Sequence, residues 1–236
     1  MRDSVLIVVP TFNEAENIAR LIAGVHAVLP AAHVLVVDDA SPDGTAALVR
    51  GLVRADPRVH LLERSAKLGI GSAYVAGFGW GLERGYASFF QMDADFSHDP
   101  KYLPAFDAGL AAGADLVVGS RNVQGGKVEG WGPLRHAISK GGSLYSRVIL
   151  RSPVRDMTTG FKAYTRRALE LIQVERVRSN GYAFQIETTY LAVRCGLRVV
   201  ELPIVFVDRR VGRSKMTYRE VGEAVVAVWR VRLGPK

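Results

Sequence analysis

The sequence predicts an α/β fold, an open and mostly parallel sheet with helices on both faces. Three observations predict it. Short aliphatic runs alternate with amphipathic stretches through the first half of the chain. Those runs are continuously apolar rather than alternating, as strands buried on both faces require. Polar clusters follow the runs directly, at 11–14, 38–41 and 93–97, where ligands bind at the carboxyl ends of parallel strands.

Residues 5–9 form the first strand. Ile18, Leu21, Ile22, Val25 and Val28 then make one helical stripe. Asn13 and Glu16, three apart, resemble a capping box at its start. Residues 34–37 are the second strand, ending in Asp38 and Asp39. Ser41-Pro42-Asp43-Gly44 makes a turn into a helix over 45–53. A third strand spans 59–62 and a Gly-rich helix 71–84. The fourth strand, 88–92, ends at Asp93, and a helix over 100–112 leads to a fifth strand at 116–118. The second half is less regular. It predicts a helix over 134–150, a Gly/Thr turn at 156–160, a helix over 184–193 and a strand over 199–207. A basic loop at 208–215 and a last helix over 218–233 follow. With no linker and no repeat, the chain reads as one domain over 1–236.

The formal charge of +8 points to a polyanionic partner: a nucleotide, a phospholipid surface or nucleic acid. No basic run with interleaved aromatics, no zinc spacing and no helix-turn-helix is present, so nucleic acid is set aside. The one cysteine, Cys195, excludes an internal disulfide, suits a reducing compartment and reads as a small buried apolar residue. The first apolar run is too short for a signal-peptide core and has no cleavage site. The longest apolar stretches fall well below the ~20 residues of a membrane span.

Asp93-Ala94-Asp95 places two carboxylates at i and i+2, pointing the same way on an extended segment. At the end of a buried strand, unpaired carboxylates are costly. A hard divalent cation, Mg²⁺ or Mn²⁺, resolves that cost, because such ions take one or two carboxylates together with substrate phosphate oxygens. An Asp-x-Asp alone is common, and its placement gives it weight. Directly after the first strand stands Pro10-Thr11-Phe12-Asn13-Glu14. Neither a dinucleotide fingerprint nor a Walker loop occurs there, which argues against a nicotinamide, flavin or P-loop enzyme. Phe12 suits packing on a base and Glu14 suits accepting from base or ribose; core packing and helix capping are the other readings. One of Asp38 and Asp39 suits a nucleoside and the other the turn.

Segments 10–14, 37–45, 67–74, 92–98, 119–121, 130–139, 156–161, 181–187 and 208–215 resemble, in order, the dolichol-phosphate mannosyltransferase (polyprenyl-monophosphomannose synthase) branch of the family 2 glycosyltransferases. The resemblance implies a GT-A, Rossmann-like fold with an acceptor-side helical extension. About 1–121 would be the nucleotide-binding half and about 122–236 the acceptor-binding half. It implies inverting transfer of mannose from GDP-mannose to a polyprenyl phosphate lipid, or transfer from another sugar nucleotide such as UDP-glucose or a UDP-N-acetylhexosamine. It assigns Pro10, Phe12, Glu14, Val37 and Asp39 to the guanosine side, and Asp93, Ala94 and Asp95 to metal and diphosphate. Arg121 would meet the donor, Arg209 and Lys215 its phosphates, and Arg135 and Ser139 the acceptor phosphate. Asp95, Arg121 and Arg135 would be catalytic. Two positions depart from the pattern. Phe12 replaces a common tyrosine, which removes a hydroxyl contact and keeps base packing. Ser97 replaces a glutamine metal ligand of some relatives. The five histidines have no ligand spacing.

A lipid acceptor implies work at a membrane surface. The expectation is a peripheral enzyme on the cytoplasmic side, helped by a membrane-anchoring partner or a fused membrane domain. The 130–150 segment and the last helix combine Trp131 and Trp229 with apolar and Arg residues and suit an interfacial position or ordinary core packing.

Overall fold

The computed structural model describes residues 4–208 and 218–233. Its centre is a seven-stranded sheet. β1 (Val5–Thr11) lies between β2 (His33–Asp38) and β4 (Ser88–Gln91), and β3 (Val59–Glu63) flanks β2, all parallel. β5 (Leu116–Ser120) pairs in parallel with β8 (Val199–Pro203). Between β4 and β5 runs β7 (Lys162–Thr165), antiparallel to both. The order is β3-β2-β1-β4-β7-β5-β8. A two-stranded parallel sheet of β6 (Lys127–Glu129) and β9 (Val205–Val207) stands beside it.

Side-chain alternation divides the core into two layers. On β1, Leu6 and Val8 face one cluster and Ile7 and Val9 the other. The Ile7 side is covered by α1 (Ile18–Val28), α2 (Thr45–Ala55) and α4 (Leu103–Ala111) through residues such as Leu21, Val49 and Phe106. The Leu6 side is covered by α3 (Ile70–Glu83), α6 (Arg166–Leu171) and α7 (Gly181–Arg194), with α5 (Pro133–Leu150) and α8 (Tyr218–Leu233) farther out. The glycines of α3 serve this packing. A Cβ at Gly77 would stand 2.4 Å from Val8 Cγ1, and one at Gly81 2.5 Å from Leu6 Cδ2, so only glycine lets the helix lie this close.

Three expectations are corrected, and one strand of the sheet had no counterpart in the sequence reading. The capping box does not form. Asn13 adopts φ 61°, its N–H donates to Ser41 Oγ, and α1 starts at Ile18 after a turn. The strand over 199–207 is two strands in two sheets: buried Ile204 donates its N–H to the Ser120 carbonyl of β5 and accepts the Lys127 N–H, so the chain passes there from the large sheet to the small one. β7 has no aliphatic run and begins with a lysine, so periodicity misses it. Cys195 is exposed at the end of α7, its Sγ 3.7 Å from the Leu171 carbonyl.

At the amino-terminal edge of the sheet, His33 Nδ1 lies 3.0 Å from His60 Nε2 and 2.8 Å from the Tyr86 hydroxyl. Burial lowers the pKa of both imidazoles and of His26, and neighbouring Arg58 or Arg84 adds to this while Asp56 opposes it. A histidine with a lowered folded pKa binds fewer protons folded than unfolded. Its stabilisation is complete above the ordinary value of 6.5 and drains as pH falls below it. The thermal midpoint is expected to fall between about pH 7.5 and pH 5.5, and His60→Gln to flatten that fall in a calorimetric pH series.

Candidate active site

The carboxyl ends of β1, β2 and β4 converge where the strand order changes direction, which is where open sheets bind ligands. Each of the three loops carries a non-glycine residue in the left-handed region: Asn13 at φ 61°, Ala40 at φ 55° and Phe96 at φ 61°. Such backbone costs roughly 1–3 kcal/mol per residue and persists only where surroundings over-determine it.

Asp93 lies two residues beyond β4, half-buried, with Asp95 beside it and Ala94 buried between them. The Tyr74 hydroxyl donates to Asp93 Oδ1 at 3.1 Å. The Asp93 N–H donates to His98 Nδ1 at 3.0 Å, and Asp95 Oδ1 accepts from the Ser97 N–H at 3.1 Å. His98 is buried and stacks on Phe161 at 4.8 Å. Burial lowers its pKa against the pull of Asp93 and Asp95, so the ring is neutral with its proton on Nε2. Burial and Asp93 raise the Tyr74 pKa, which keeps that phenol a donor. Among the described residues no three His, Cys, Asp or Glu side chains form a metal cage. Two adjacent half-exposed carboxylates instead fit a cation that keeps coordination positions for water and substrate oxygens.

On the nucleotide side, Pro10 stands opposite Val37 in the β1–β2 ladder, and Thr11 Oγ1 donates to Asp38 Oδ1 at 2.8 Å. Asp38 also accepts the N–H and hydroxyl of Ser41, so it is the turn carboxylate. Asp39 is buried in an ion pair with Arg64 and accepts the N–H groups of Leu68 and Gly69. It fixes the loop leading into α3. The Lys67 ammonium lies 4.1 Å above the Phe12 ring. Glu14 accepts from Asn17 Nδ2 at 2.9 Å, and its N–H donates to Thr45 Oγ1 at 3.1 Å. Pro10, Phe12, Glu14, Val37 and Asp39 are therefore gathered at one edge.

The second half faces this edge. Arg121, just past β5, is buried against Asp156: Nε and Nη2 each donate at 2.7 Å, and the backbone N–H donates at 2.9 Å. Nη2 also reaches Thr158 Oγ1 at 2.9 Å, and Thr158 bonds Ser143 of α5 at 3.2 Å. Burial alone would raise the Asp156 pKa; the Arg121 charge and hydrogen bonds outweigh it and hold it down. The Glu201 carboxylate accepts the N–H groups of Arg155 and Asp156. Arg135 on α5 donates Nη1 to Asp208 and lies 4.3 Å over the Trp131 ring. Arg135 and Ser139 line a partly open groove whose apolar wall includes Trp131, Ile138, Tyr145, Ile186 and Val225. Phe206 links the two regions, 5.8 Å from His98 and 5.2 Å from Trp131. Arg209 and Lys215 lie outside the described residues.

Sequence reasoning gave no role to Tyr74 or Asp156, read Trp131 only as part of an interfacial or core-packing segment, and found no ligand spacing at His98. His98 had one signal, its place five residues after Asp93 in the same loop. The partners of Tyr74 and Asp156 are distant in sequence, so spacing carries none.

A sheet edge bearing a carboxylate pair, opposed by a second half rich in Arg, suits a transferase that handles anionic substrates. The chain belongs to the glycosyl transferase family 2, whose profile matches residues 6–172. It is similar to a polyprenol monophosphomannose synthase of Mycolicibacterium smegmatis, 47% identical over 230 residues that cover 96% of this chain and 87% of that one. It is as similar to an undecaprenyl-phosphate mannosyltransferase of Micrococcus luteus, 47% identical over 226 residues, 96% of this chain and 93% of that one. Among solved structures, glucosyl-3-phosphoglycerate synthase from Mycobacterium tuberculosis with UDP matches 99% of this chain and 82% of its own at TM-score 0.70 and 16% identity. The same enzyme with Mn²⁺, UDP-glucose and glycerol 3-phosphate matches at TM-score 0.67 and 19% identity, with 99% and 82% coverage. These two share the GT-A-like fold. Asp156→Ala, which leaves the Arg121 guanidinium buried and unpaired, is expected to cost about 3–5 kcal/mol in denaturant unfolding.

Proposed function

We propose that this chain transfers mannose from GDP-mannose to a polyprenyl (dolichyl-type) monophosphate, inverting the anomeric carbon, with Mg²⁺ or Mn²⁺ at Asp93 and Asp95. The observation that carries the acceptor class is the groove, where Arg135 and Ser139 meet a mostly apolar wall. That combination suits a phosphate head on a hydrocarbon chain. The names of the two 47%-identical relatives support the same acceptor and sugar. On the donor side, Phe12 offers a face for the base, and Pro10, Glu14, Val37 and Asp39 surround the nucleoside. Arg121 is assigned to the donor, and Arg209 and Lys215 to its phosphates.

The acceptor brings its own nucleophile. A phosphate monoester has a second pKa of about 6, so its oxygen is largely anionic at neutral pH and no strong base is required. The chain's task is to bring two anions together. Arg135 and Ser139 orient the acceptor phosphate, and the cations on the donor side offset repulsion and hold the leaving group by directed hydrogen bonds. When bound, the divalent cation supplies Lewis-acid stabilisation of the departing diphosphate. Attack from the face opposite the nucleotide converts an α-linked donor into a β-linked product.

No described helix is long and apolar enough to cross a membrane. Leu134, Leu144 and Val148 on α5 and Val226, Trp229 and Leu233 on α8 are exposed, and the last turn of α8 adds Arg230 and Arg232. Such faces suit peripheral attachment on the cytoplasmic side, and a membrane-anchoring partner or fused membrane domain would serve the same end.

Labelled GDP-mannose, Mg²⁺ or Mn²⁺ and a polyprenyl phosphate are expected to give a lipid-linked mannose; product from a UDP-sugar alone would replace the donor. Asp95→Asn is expected to abolish transfer, at least about a hundredfold, and near-normal turnover would remove the metal assignment. Arg135→Ala is expected to raise the acceptor KM, or lower kcat, far more than it weakens GDP binding in titration. Equal effects would move Arg135 to the donor side.

A further inference from the structure

Arg135 is held in an arrangement that satisfies only part of it. Both Asp208 oxygens approach the same atom, Nη1, at 3.0 and 2.9 Å. A guanidinium binds an anion best through two parallel N–H···O bonds from two nitrogens. Its Nε–H is buried and has no hydrogen-bond partner among the described residues, a state that costs about 1–3 kcal/mol. The indole N–H of Trp131, the ring on which the guanidinium lies, is likewise buried without a partner among the described residues. Both side chains line the groove. The Asp208 main chain is pinned, its N–H donating to the Glu129 carbonyl at 2.9 Å. Exchange of this carboxylate at Arg135 thus calls for side-chain rotation with the backbone in place.

We propose that Asp208 is a displaceable stand-in for the acceptor phosphate: its carboxylate neutralises Arg135 until the lipid phosphate arrives and takes its place. This rests on the reading that the acceptor phosphate meets Arg135. A phosphate monoester carries about −1.5 to −2 charge and three acceptor oxygens. It offers more charge than the carboxylate and an additional oxygen for the Nε–H that Asp208 leaves unused. The exchange keeps a partly buried guanidinium paired in the resting protein. It also selects for dianionic head groups, since a monoanion gains nothing over the carboxylate already there.

The proposal has a sign. A stand-in competes with the acceptor, so removing its charge tightens acceptor binding; a permanent support orients Arg135, so removing it weakens binding. Farnesyl phosphate is titrated calorimetrically into the full chain without donor, for the unaltered protein, Asp208→Asn, Asp208→Ser and Arg135→Ala. GDP titration checks that each variant is folded. Both Asp208 variants are expected to bind farnesyl phosphate about fivefold more tightly, and to lower the polyprenyl phosphate KM while the GDP-mannose KM stays put. Unchanged or weaker binding by the folded Asp208 variants, with Arg135→Ala still weakening it, overturns the proposal and leaves the acceptor reading standing. Farnesyl phosphate affinity that Arg135→Ala does not alter overturns both.

Discussion

The Arg121–Asp156 ion pair is the constraint on which the second half of the molecule depends. Its side chains are 5% and 0% exposed, so both charges are almost wholly removed from water. Desolvation works against each, and each repays it for the other, which raises the guanidinium pKa and lowers the carboxyl pKa. A pair this dry is tolerable only when its hydrogen bonds are filled. Asp156 accepts from Nε, Nη2 and the backbone N–H of Arg121, and Thr158 takes a second bond from Nη2. The geometry joins the end of β5 to the turn before β7, and the Thr158–Ser143 contact carries it to α5. The placement of Arg135 and Ser139 over the carboxyl edge is inherited from this joint.

Between the acidic edge and Arg135 the molecule places a neutral aromatic series. His98 stacks on Phe161 and meets Phe206 edge-on, and Phe206 meets Trp131. Were His98 protonated, its charge would partly neutralise the carboxylates it touches. Burial favours its neutral form, so His98 brings no competing positive charge to the Asp93–Asp95 loop.

The first half was legible because its signals are local. Aliphatic runs, amphipathic stripes and polar strand ends lie within a few residues of one another, and β1 to β5 appear where periodicity puts them. The failures have one physical cause, which is that their determinants are tertiary. β7 is a four-residue strand made stable by insertion between β4 and β5, not by its own composition. Asn13 leaves helical geometry because Ser41, 28 residues away, accepts its N–H. Asp38 and Asp39 were separable in principle, one turn and one ligand, yet Asp39 is held by Arg64 and a loop 29 residues on. The site followed the same division: the carboxylate pair could be found from its strand end, whereas Tyr74 and Asp156 become visible only when the chain closes.

The titratable groups around the edge bear on the chemistry. His98 has its accepting nitrogen filled by the Asp93 N–H. Lys162, at the start of β7, is pushed by burial down to about 7, but its Nζ is spent on the Gln185 carbonyl and Thr188 Oγ1 of α7. Tyr74 is held protonated. His98 and Lys162 are thus committed to internal hydrogen bonds rather than positioned as bases. A hydroxyl acceptor would need a base to take its proton; a lipid phosphate arrives without that proton. The distribution of charge, acidic at the strand ends and cationic around the groove, suits an enzyme whose work is to manage repulsion between two anions, leaving proton transfer to the solvent.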